Sequence, residues 1–264
     1  MTESICKHLP DAFAWKDRIV FLDTVDSTNT RAKELALQGA PHGTVVIADC
    51  QTGGRGRMGR RFYSPGSAGI YLSVILRPDC EAGQLIHLTC AAAVAMCNAI
   101  EAAAGFRPGI KWTNDLVFGR KKLGGILTEL SLNADGSVAF AIVGIGINCC
   151  QSARDFPADI KDIACSLSMA ANTPINRSRV AAAMISALSG MASSLLQKSA
   201  VLQRYRSDCI TLGQEVALHK ADSIRYGTAT GIDDNGALIV RFSDGHSEAV
   251  ASGEVSVRGM YGYL

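Results

Sequence analysis

The stretch QTGGRGRMGR, residues 51–60, combines two residue types that together favour the binding of an anion. Arginine carries a permanent positive charge, and its guanidinium group forks onto carboxylate or phosphate oxygens. Glycine removes steric limits on the backbone and raises the entropy cost of ordering it. We therefore expect a loop that stays loose until an anionic ligand orders it. Residues 53–61 are called the lid segment below.

The same stretch satisfies the G-x-G-x-x-G pattern of dinucleotide-binding folds through Gly54, Gly56 and Gly59. That pattern requires a helix directly after the glycines, because the helix N-terminus binds the pyrophosphate. Only the ten residues RRFYSPGSAG follow Gly59 before the next predicted strand, and a crossover helix usually takes about a dozen or more. A Rossmann-type site is therefore disfavoured. An RNA-binding arginine–glycine segment is also disfavoured, because such segments are longer and interleaved with aromatic residues.

A second polar cluster lies in KWTNDLVFGRKKLGGILTEL, residues 111–130. Asn114 and Asp115 follow a short extended piece, and Lys121 and Lys122 occupy a predicted turn. Each pair also has a plain structural interpretation, because turn lysines are usually solvated and Asn-Asp often forms a turn.

Hydrophobic periodicity predicts the elements that must position these groups. Strands are predicted over RIVFLDTV, TVVIAD, IYLSVIL, LGGILTELSL and VAFAIVGIGIN, and helices over TRAKELALQ, HLTCAAAVAMCNAIEAAAG, SRVAAAMISALSGMASSLLQ and AVLQRYRSDC. Ser27 or Thr28 can cap the first helix, which Gly39 ends, and Gly105 ends the second. Asp135-Gly136 predicts the turn of a hairpin.

From about Leu212 the pattern changes to short strands separated by turn residues. This change predicts two domains: an α/β (α+β) domain with a mixed sheet over residues 1–210, and a small all-β barrel over residues 211–264.

Composition narrows the class of protein. The chain has 264 residues, a net charge of +2, 48% hydrophobic and 19% charged residues, which is typical of a globular enzyme and leaves no chain-wide nucleic-acid footprint. Its nine cysteines form no C-x-x-C pair, a pattern that fits a reducing cytoplasm better than a disulfide framework or zinc site. The most apolar run, LTCAAAVAMCNAI, is well short of a membrane span of roughly 18 residues.

Several motifs in one order resemble the biotin–protein ligase family, also called biotin–[acetyl-CoA-carboxylase] ligase. They are DSTN at 26–29, Gln51 with GRGRMGR at 54–60, SPGSAGIYLS at 64–73, KWTND at 111–115, KLGGIL at 122–127, GIGIN at 144–148 and GEVSVR at 253–258. They extend over nearly the whole chain, and the glycine–arginine loop with KW-x-ND and K-L-x-GIL is close to diagnostic as a set.

The resemblance implies a two-step reaction on the catalytic fold of biotin and lipoate ligases, with a C-terminal barrel of the Src-homology-3 type. Biotin and ATP, with Mg²⁺, give biotinyl-5′-adenylate and pyrophosphate. A lysine of a biotin carboxyl carrier protein then displaces AMP. The resemblance implies no nucleic-acid or membrane partner, and an edge strand of the main sheet is a candidate surface for a homodimer.

The resemblance also implies which residues bind and react, with Lys122, Arg57 and Asp115 as the catalytic set. In this interpretation Lys122, rather than Lys121, bridges the biotin carboxylate and the α-phosphate. The implied biotin-binding residues are Ser27, Thr28, Asn29, Gln51, Gly54, Arg55, Gly56, Arg57, Phe62, Tyr71, Lys122, Gly125, Ile126, Leu127 and Gly144. The implied ATP-binding residues are Arg57, Arg60, Asn114, Asp115, Lys122, Asn148 and Arg258. Metal ligands are not assigned.

Three departures from the family pattern matter. Thr113 replaces the usual proline of KWPND, Phe62 replaces the usual lid tryptophan, and about 25 residues precede DSTN. That length predicts a ligase without the operator-binding domain of many bacterial relatives. Two alternatives remain: a lipoate or octanoate ligase or transferase of the same fold, which would lack the glycine–arginine lid, and a non-catalytic biotin sensor.

Overall fold

The computed structural model describes residues 2–220, 223–251, 254–257 and 260. A seven-stranded mixed sheet forms the larger part of the fold, with strand order β1-β2-β3-β7-β6-β5-β4. Its strands are β1 (Ile19–Val25), β2 (Thr44–Gln51), β3 (Gly69–Leu76), β4 (Gly109–Lys111), β5 (Asp115–Phe118), β6 (Lys121–Leu132) and β7 (Val138–Asn148). Only β1 and β2 pair in parallel among these neighbours; the other pairs are antiparallel. The predicted mixed sheet is confirmed.

Six α-helices and three short 3-10 helices are present in the described residues; only the α-helices are labelled. They are α1 (Thr2–Cys6), α2 (Thr28–Leu37), α3 (Leu88–Ala104), α4 (Leu167–Ala171), α5 (Arg177–Ser193) and α6 (Lys198–Asp208). The two five-residue helices, α1 and α4, were not predicted, because one turn and a half carries too little periodicity to stand out. Gly105 ends α3 in the left-handed conformation, at a φ of 78°, as expected of a helix C-terminus.

The sheet is covered on both faces, and alternation along its strands shows which residues face which layer. Val46, Ile75 and Ile142 pack with α2 in one cluster. Their strand neighbours, such as Val45 and Val74, pack with α3 and α5 in the main core. We call these two sides the α2 face and the α3 face. Because both faces of β3 are covered, all eight of its residues are buried.

The alanine-rich helix α3 lies at the centre of the main core. The stretch Ala82–Ala104 passes a length and composition test for a membrane span, but 72% of its most apolar window is buried inside the fold. The core helix of a soluble protein passes the same test, and α3 packs against α5, α6 and β6. Small alanine side chains let these helices approach closely.

A second sheet follows α6, with strand order β11-β10-β9-β8-β12 and antiparallel pairing throughout. Its strands are β8 (Glu215–Lys220), β9 (Ser223–Ile232), β10 (Leu238–Arg241), β11 (Ser247–Val250) and β12 (Glu254–Val257). The predicted change to a C-terminal all-β unit is therefore confirmed. The turn residues Gly236 and Gly245 have φ values of 85° and 88°, a conformation that glycine adopts without steric cost.

Buried hydrogen bonds join the second sheet to the first. The Trp112 indole N–H donates to the Gly236 carbonyl at 3.0 Å, and the buried Lys111 ammonium donates to the Val255 carbonyl at 2.9 Å. The Trp112 backbone N–H donates to the Thr211 hydroxyl at 2.9 Å. The segment that carries KWTND is thereby fixed from the C-terminal side, and the Trp112–Thr113 peptide bond is cis.

A largely buried ion pair joins the C-terminus of α3 to α6. Arg107 donates from Nε and Nη2 to the two carboxylate oxygens of Asp208 at 2.8 and 2.6 Å, and from Nη1 to Glu101 at 2.7 Å. The Asp208 side chain is only 7% exposed. The hydrogen bond to Asp208 raises the pKa of the Arg107 guanidinium above its usual range, so this cation stays charged.

We predict that Arg107→Ala lowers the free energy of unfolding by about 2 kcal/mol, because it leaves the buried Asp208 carboxylate with only the longer contact to Arg204 Nε at 3.4 Å. Urea unfolding measures this change. Arg31→Ala is the matched control, since the Arg31–Glu34 pair is an exposed i,i+3 contact and should change stability by about 0.5 kcal/mol or less. Equal losses in the two variants would contradict the assignment.

Candidate active site

The floor of the candidate site is a patch of small residues on the α2 face of the sheet. The strand registers place Ser73, Gly144 and Leu127 in one row across β3, β7 and β6. Tyr71, Gly146 and Gly125 form the next row. A Cβ at Gly144 would overlap the Asn29 amide, and one at Gly146 would overlap the Phe62 ring. These glycines therefore leave room for side chains above the sheet.

Side chains from α2 and β2 form a polar network at one end of this floor. Gln51 Oε1 accepts hydrogen bonds from the Thr28 backbone N–H at 2.8 Å and from the Thr28 hydroxyl at 3.1 Å. Gln51 therefore satisfies the first helical N–H of α2. The side chain of Ser27, at the N-cap position, makes no capping bond. Ser27, Thr28 and Asn29 are all buried.

The network has more acceptors than protons. Ser73 Oγ lies 2.8 Å from Thr28 Oγ1 and 2.7 Å from Asn29 Oδ1, and Thr28 Oγ1 lies 3.1 Å from Gln51 Oε1. Two hydroxyl groups supply two protons for these three contacts, while the two amide oxygens can only accept. One contact therefore lacks a proton. When each hydroxyl donates to an amide oxygen, the Thr28–Ser73 contact is the one without a proton. The oxygens of the network keep spare lone pairs, to which a ligand N–H group could donate.

Apolar side chains line the middle of the site. The Phe62 ring is half-buried and lies edge-on to Tyr71, with ring centroids 6.3 Å apart. Tyr71 is fully buried beneath it and donates its hydroxyl to the Pro65 carbonyl at 2.9 Å. Burial raises the pKa of the Tyr71 phenol, so this hydroxyl remains protonated and acts as a donor. Leu127 continues the apolar wall. Ile126 also lines the cavity, but its side chain packs in the main core.

The lid segment is folded over the site as a narrow turn. Arg55 and Arg61 form an antiparallel bridge, and the Gly56 N–H donates to the Arg60 carbonyl at 2.7 Å. Met58 has a φ of 56° and Gly59 a φ of 73° at the tip. The ordering of this segment by an anionic ligand stays a prediction.

The predicted reactive lysine lies at the other end of the floor. Lys122 Nζ donates to Asp115 Oδ1 at 2.7 Å. Two backbone hydrogen bonds also hold Lys122. Its N–H donates to the Ile163 carbonyl at 2.7 Å, and its carbonyl accepts from the Cys165 N–H at 2.8 Å. Lys122 is thus part of β6 rather than of the predicted turn, and both its backbone and its ammonium group are positioned.

A lid arginine reaches the same end of the cavity. Arg57 Nη1 donates to Asn114 Oδ1 at 3.2 Å. Two hydrogen bonds fix Asn114 to Ile126. Asn114 Nδ2 donates to the Ile126 carbonyl at 3.0 Å, and the Asn114 backbone carbonyl accepts from the Ile126 N–H at 3.0 Å. The KWTND segment therefore holds the contacts of both Lys122 and Arg57.

The cavity is strongly positive. Its charged lining residues are Arg55, Arg57, Arg60, Arg61, Lys111, Lys122 and Asp115. Within the described part of the chain, Asp115 is thus the only acidic residue that lines this cavity. A concave surface with this excess of cations concentrates anionic ligands.

Most of the sequence-predicted site residues meet in this one cavity. The predicted residues that line it are Ser27, Thr28, Asn29, Gln51, Arg55, Gly56, Arg57, Arg60, Phe62, Asn114, Asp115, Lys122, Gly125, Ile126, Leu127 and Gly144. Gly54 and Tyr71 lie behind the lining. A side chain at Gly54 would overlap the Phe62 carbonyl and the Ser64 hydroxyl, so Gly54 allows the lid to close on its own stem.

Two predicted ATP contacts are not placed in the cavity. The Asn148 amide is buried and donates to the Cys165 carbonyl at 3.0 Å and the Lys122 carbonyl at 3.4 Å. It therefore holds the Lys122 strand, and a direct contact with nucleotide stays a prediction. Arg258 lies outside the described residues.

Sequence reasoning missed seven lining residues: Met58, Arg61, Lys111, Trp112, Ile145, Gly146 and Val255. Lys111 and Trp112 belong to the recognised motif KWTND, so the motif was a signal for them. Their buried hydrogen bonds to the second sheet could not be read from it. Val255 also lies in a recognised motif, GEVSVR at 253–258, but nothing in that motif showed that the packing of β12 brings this apolar side chain to the cavity. Glu129, which contacts both Asn29 and Arg55, was also missed.

A second cavity adjoins the first at the lid. The two share Arg57, Met58, Ile126 and Leu127. The second cavity lies on the α3 face, between the start of α3 and the second sheet, and includes Thr89, Thr113, Thr128 and Ala237.

Two family models match parts of this chain. The model of the "Biotin/lipoate A/B protein ligase family" matches residues 21–148, and that of the "Biotin protein ligase C terminal domain" matches residues 211–258. The chain is 39% identical to the "Bifunctional ligase/repressor BirA" of Bacillus spizizenii over 229 residues, covering 86% of this chain and 70% of the relative. It is 29% identical to the "Biotin--[acetyl-CoA-carboxylase] ligase" of Mycobacterium tuberculosis, covering 91% and 89% of the two chains.

The fold also matches solved structures. A biotin protein ligase from Aquifex aeolicus in complex with biotin and ATP superposes with a TM-score of 0.75 at 31% sequence identity. The match covers 91% of this chain and 98% of that chain.

We predict that Gly144→Ala lowers stability by about 1–3 kcal/mol, because its Cβ overlaps the Asn29 amide and forces the polar network to shift. Thermal unfolding and a crystal structure of the variant measure the effect. Gly190→Ala is the matched control, since Gly190 lies within α5 with nothing near its added Cβ. That control should gain about 0.5–1 kcal/mol. A Gly144→Ala protein as stable as wild type would contradict the close packing of the floor.

Proposed function

The chain belongs to the biotin/lipoate A/B protein ligase family, and from this premise we infer that it is a biotin–protein ligase. It activates biotin with ATP to biotinyl-5′-adenylate and transfers the biotinyl group to a lysine of a biotin carboxyl carrier protein. The names of its relatives and the ligands in the Aquifex aeolicus structure support this activity. The acceptor class, the carrier of acetyl-CoA carboxylase, is supported by the name of the Mycobacterium tuberculosis relative.

One observation carries the assignment: the polarity of the cavity matches the polarity of biotin from end to end. The acceptor-rich network of Thr28, Asn29 and Gln51 suits the N–H groups of a ureido ring. The apolar wall suits the valeryl chain, and Lys122 and Arg57 suit its carboxylate. Lipoate has a dithiolane ring without N–H groups, so it would cover these oxygens without donating to their spare lone pairs. The cavity therefore favours biotin over the lipoate alternative.

The first step brings two anions together. A biotin carboxylate oxygen attacks the α-phosphorus of ATP, the new C–O–P link forms, and the bond to the β-phosphate oxygen breaks to release pyrophosphate. Two unit charges about 4 Å apart at an effective dielectric near 20 repel by roughly 4 kcal/mol. Uncompensated, that repulsion would slow the reaction by about a thousandfold. We propose that Lys122 offsets it by bridging the carboxylate and the α-phosphate.

Arg57 and Asp115 have supporting roles in this proposal. Asp115 holds the Lys122 ammonium in place before ligand binds, and Asn114 holds Arg57 beside it. Arg55, Arg57 and Arg60 then close the lid segment over the adenylate, which excludes water from a hydrolysable mixed anhydride. In the second step the acceptor amine attacks the carbonyl carbon, an amide forms, AMP leaves, and the nitrogen loses a proton.

We propose that Mg²⁺ accompanies ATP rather than occupying a dedicated protein cage. In the described residues, no three or more His, Cys, Asp or Glu side chains lie together in a group that could hold a metal ion. Protein-bound Mg²⁺ commonly keeps its waters and uses one or two carboxylates together with substrate phosphates. Asp115 suits that role, and the ion would neutralise phosphate charge.

The outer half of β6 is a candidate surface for a homodimer. β5 pairs with β6 only as far as Gly125, and Leu130 and Leu132 beyond it are 44% and 51% exposed. Unpaired strand edges with apolar side chains favour association. Sedimentation analysis with and without biotin and ATP tests this; a monomer under both conditions contradicts it.

A cytoplasmic location and the absence of a nucleic-acid partner remain proposals. All nine cysteines are free thiols, which suits a reducing compartment. Cell fractionation tests the location. A mobility-shift assay with DNA tests the second proposal, and retardation at moderate salt would contradict it.

We expect a biotin carrier domain incubated with the protein, ATP and Mg²⁺ to gain the mass of one biotinyl group on a lysine. Intact-mass spectrometry measures the gain, and reactions lacking ATP or Mg²⁺ should show none. Lipoate in place of biotin is the control substrate. A gain with lipoate would overturn the assignment, and no gain with either acid would favour a non-catalytic sensor.

We predict that Lys122→Ala slows adenylate formation by about a hundredfold to a thousandfold, as for removal of one preorganised charge donor. Single-turnover formation of labelled adenylate measures the rate. Lys121→Ala is the matched control, because Lys121 is the exposed neighbour and does not line the cavity. A near-wild-type rate in the Lys122 variant would show that another cation carries the charge.

A further inference from the structure

Glu129 lies beside the candidate site and makes two polar contacts across it. Its Oε2 accepts a hydrogen bond from Asn29 Nδ2 at 2.7 Å, and its Oε1 lies 3.3 Å from Arg55 Nη2. Its side chain is 27% exposed, against 49% for Arg55. Glu129 shares the α2 face of β6 with Leu127 but does not line the cavity itself.

The first contact fixes the orientation of Asn29. A carboxylate accepts hydrogen bonds and cannot donate them, so the Asn29 N–H₂ group must face Glu129. Asn29 Nδ2 also donates to the Leu127 carbonyl at 3.2 Å. The Asn29 carbonyl oxygen is thereby turned toward Ser73 and the acceptor-rich network. Glu129 and the Leu127 carbonyl together hold the acceptor oxygen of Asn29 in this direction.

The second contact links the same carboxylate to the lid segment. The polar contacts run from Arg55 through Glu129, Asn29, Ser73, Thr28, Gln51 and Ser64 to the Phe62 carbonyl. The Phe62 N–H in turn donates to the Gly54 carbonyl at 3.0 Å. The chain of contacts therefore passes beneath the cavity and ends on both stems of the lid segment.

We propose that Glu129 is a positioning residue. It couples ligand binding at the end of the cavity formed by Thr28, Asn29 and Gln51 to closure of the lid segment. This inference rests on the proposed function. A ligand that completes the network holds Asn29 against Glu129, and Glu129 holds Arg55. Glu129 itself touches neither reacting group, so its effect is confined to ligand retention.

Two substitutions separate the halves of this role. Glu129→Gln keeps an oxygen that accepts from Asn29 but removes the charge that attracts Arg55. It should release adenylate about tenfold faster with the KM for biotin little changed. Glu129→Ala removes both contacts and should also raise the KM for biotin by about tenfold, as expected for loss of a hydrogen bond to a charged group. The KM for ATP should change by less than about twofold in both variants, because Glu129 does not contact Lys122 or Arg57 at the opposite end of the cavity.

The experiment measures biotin and ATP KM values and the release of labelled adenylate, trapped by an unrelated lysine-rich protein. Glu248→Gln is the matched control, since it removes one charge from the Arg225–Glu248 pair in the second sheet, and it should leave all three quantities unchanged. In a double-mutant cycle, Glu129→Ala with Arg55→Ala should leak no faster than the leakier single variant.

Parallel loss of biotin and ATP affinity, with a lowered melting temperature, would show a merely structural role. Unchanged adenylate release, or additive effects in the cycle, would likewise overturn the proposal. Wild-type protein that adds no biotin to the carrier would instead refute the proposed function. The two failures are therefore distinguishable.

Discussion

The site depends on an opening in the α2 face of the main sheet. That opening exists because Gly125, Gly144 and Gly146 occupy neighbouring positions on β6 and β7, where any side chain would fill the space. The helix α2 can then present Thr28 and Asn29 over the floor instead of packing flat against it. The positions of the Asn29 amide and of the Phe62 ring follow from the absence of Cβ atoms at Gly144 and Gly146.

Charge is arranged along this opening from neutral to positive. The network end offers uncharged oxygens, while the opposite end offers Lys122 and Arg57 with one carboxylate, Asp115, to hold the lysine. A ligand with N–H donors at one end and an anion at the other fits in only one direction. The same gradient explains how attack of one anion on another is assisted, since the cations stand in place before the charges meet.

The second sheet contributes to the site rather than standing apart from it. Lys111 and Trp112 donate to carbonyls of that sheet, and Val255 reaches the cavity lining. The KWTND segment is therefore clamped from behind, and it in turn holds Lys122 through Asp115 and Arg57 through Asn114. Positioning of the reactive groups is thus shared between two units that the sequence presents as separate.

Local sequence patterns determined the helices and strands and the types of side chain available to the site. Hydrophobic periodicity, helix caps and turn residues each depend on only a few neighbouring positions. The strand of GIGIN, the alanine-rich helix and the glycine–arginine loop were all readable in this way. The roles of Lys122 and Arg57 came from the family resemblance and stay a proposal. Tertiary structure alone decided that Asn148 faces the Lys122 backbone, that Val255 lines the cavity, and that Glu129 joins Asn29 to Arg55. Some of those contacts join residues that are 100 and 144 positions apart in the sequence. Which such residues meet depends on strand order and register, and these are set by burial of the whole core rather than by any local pattern.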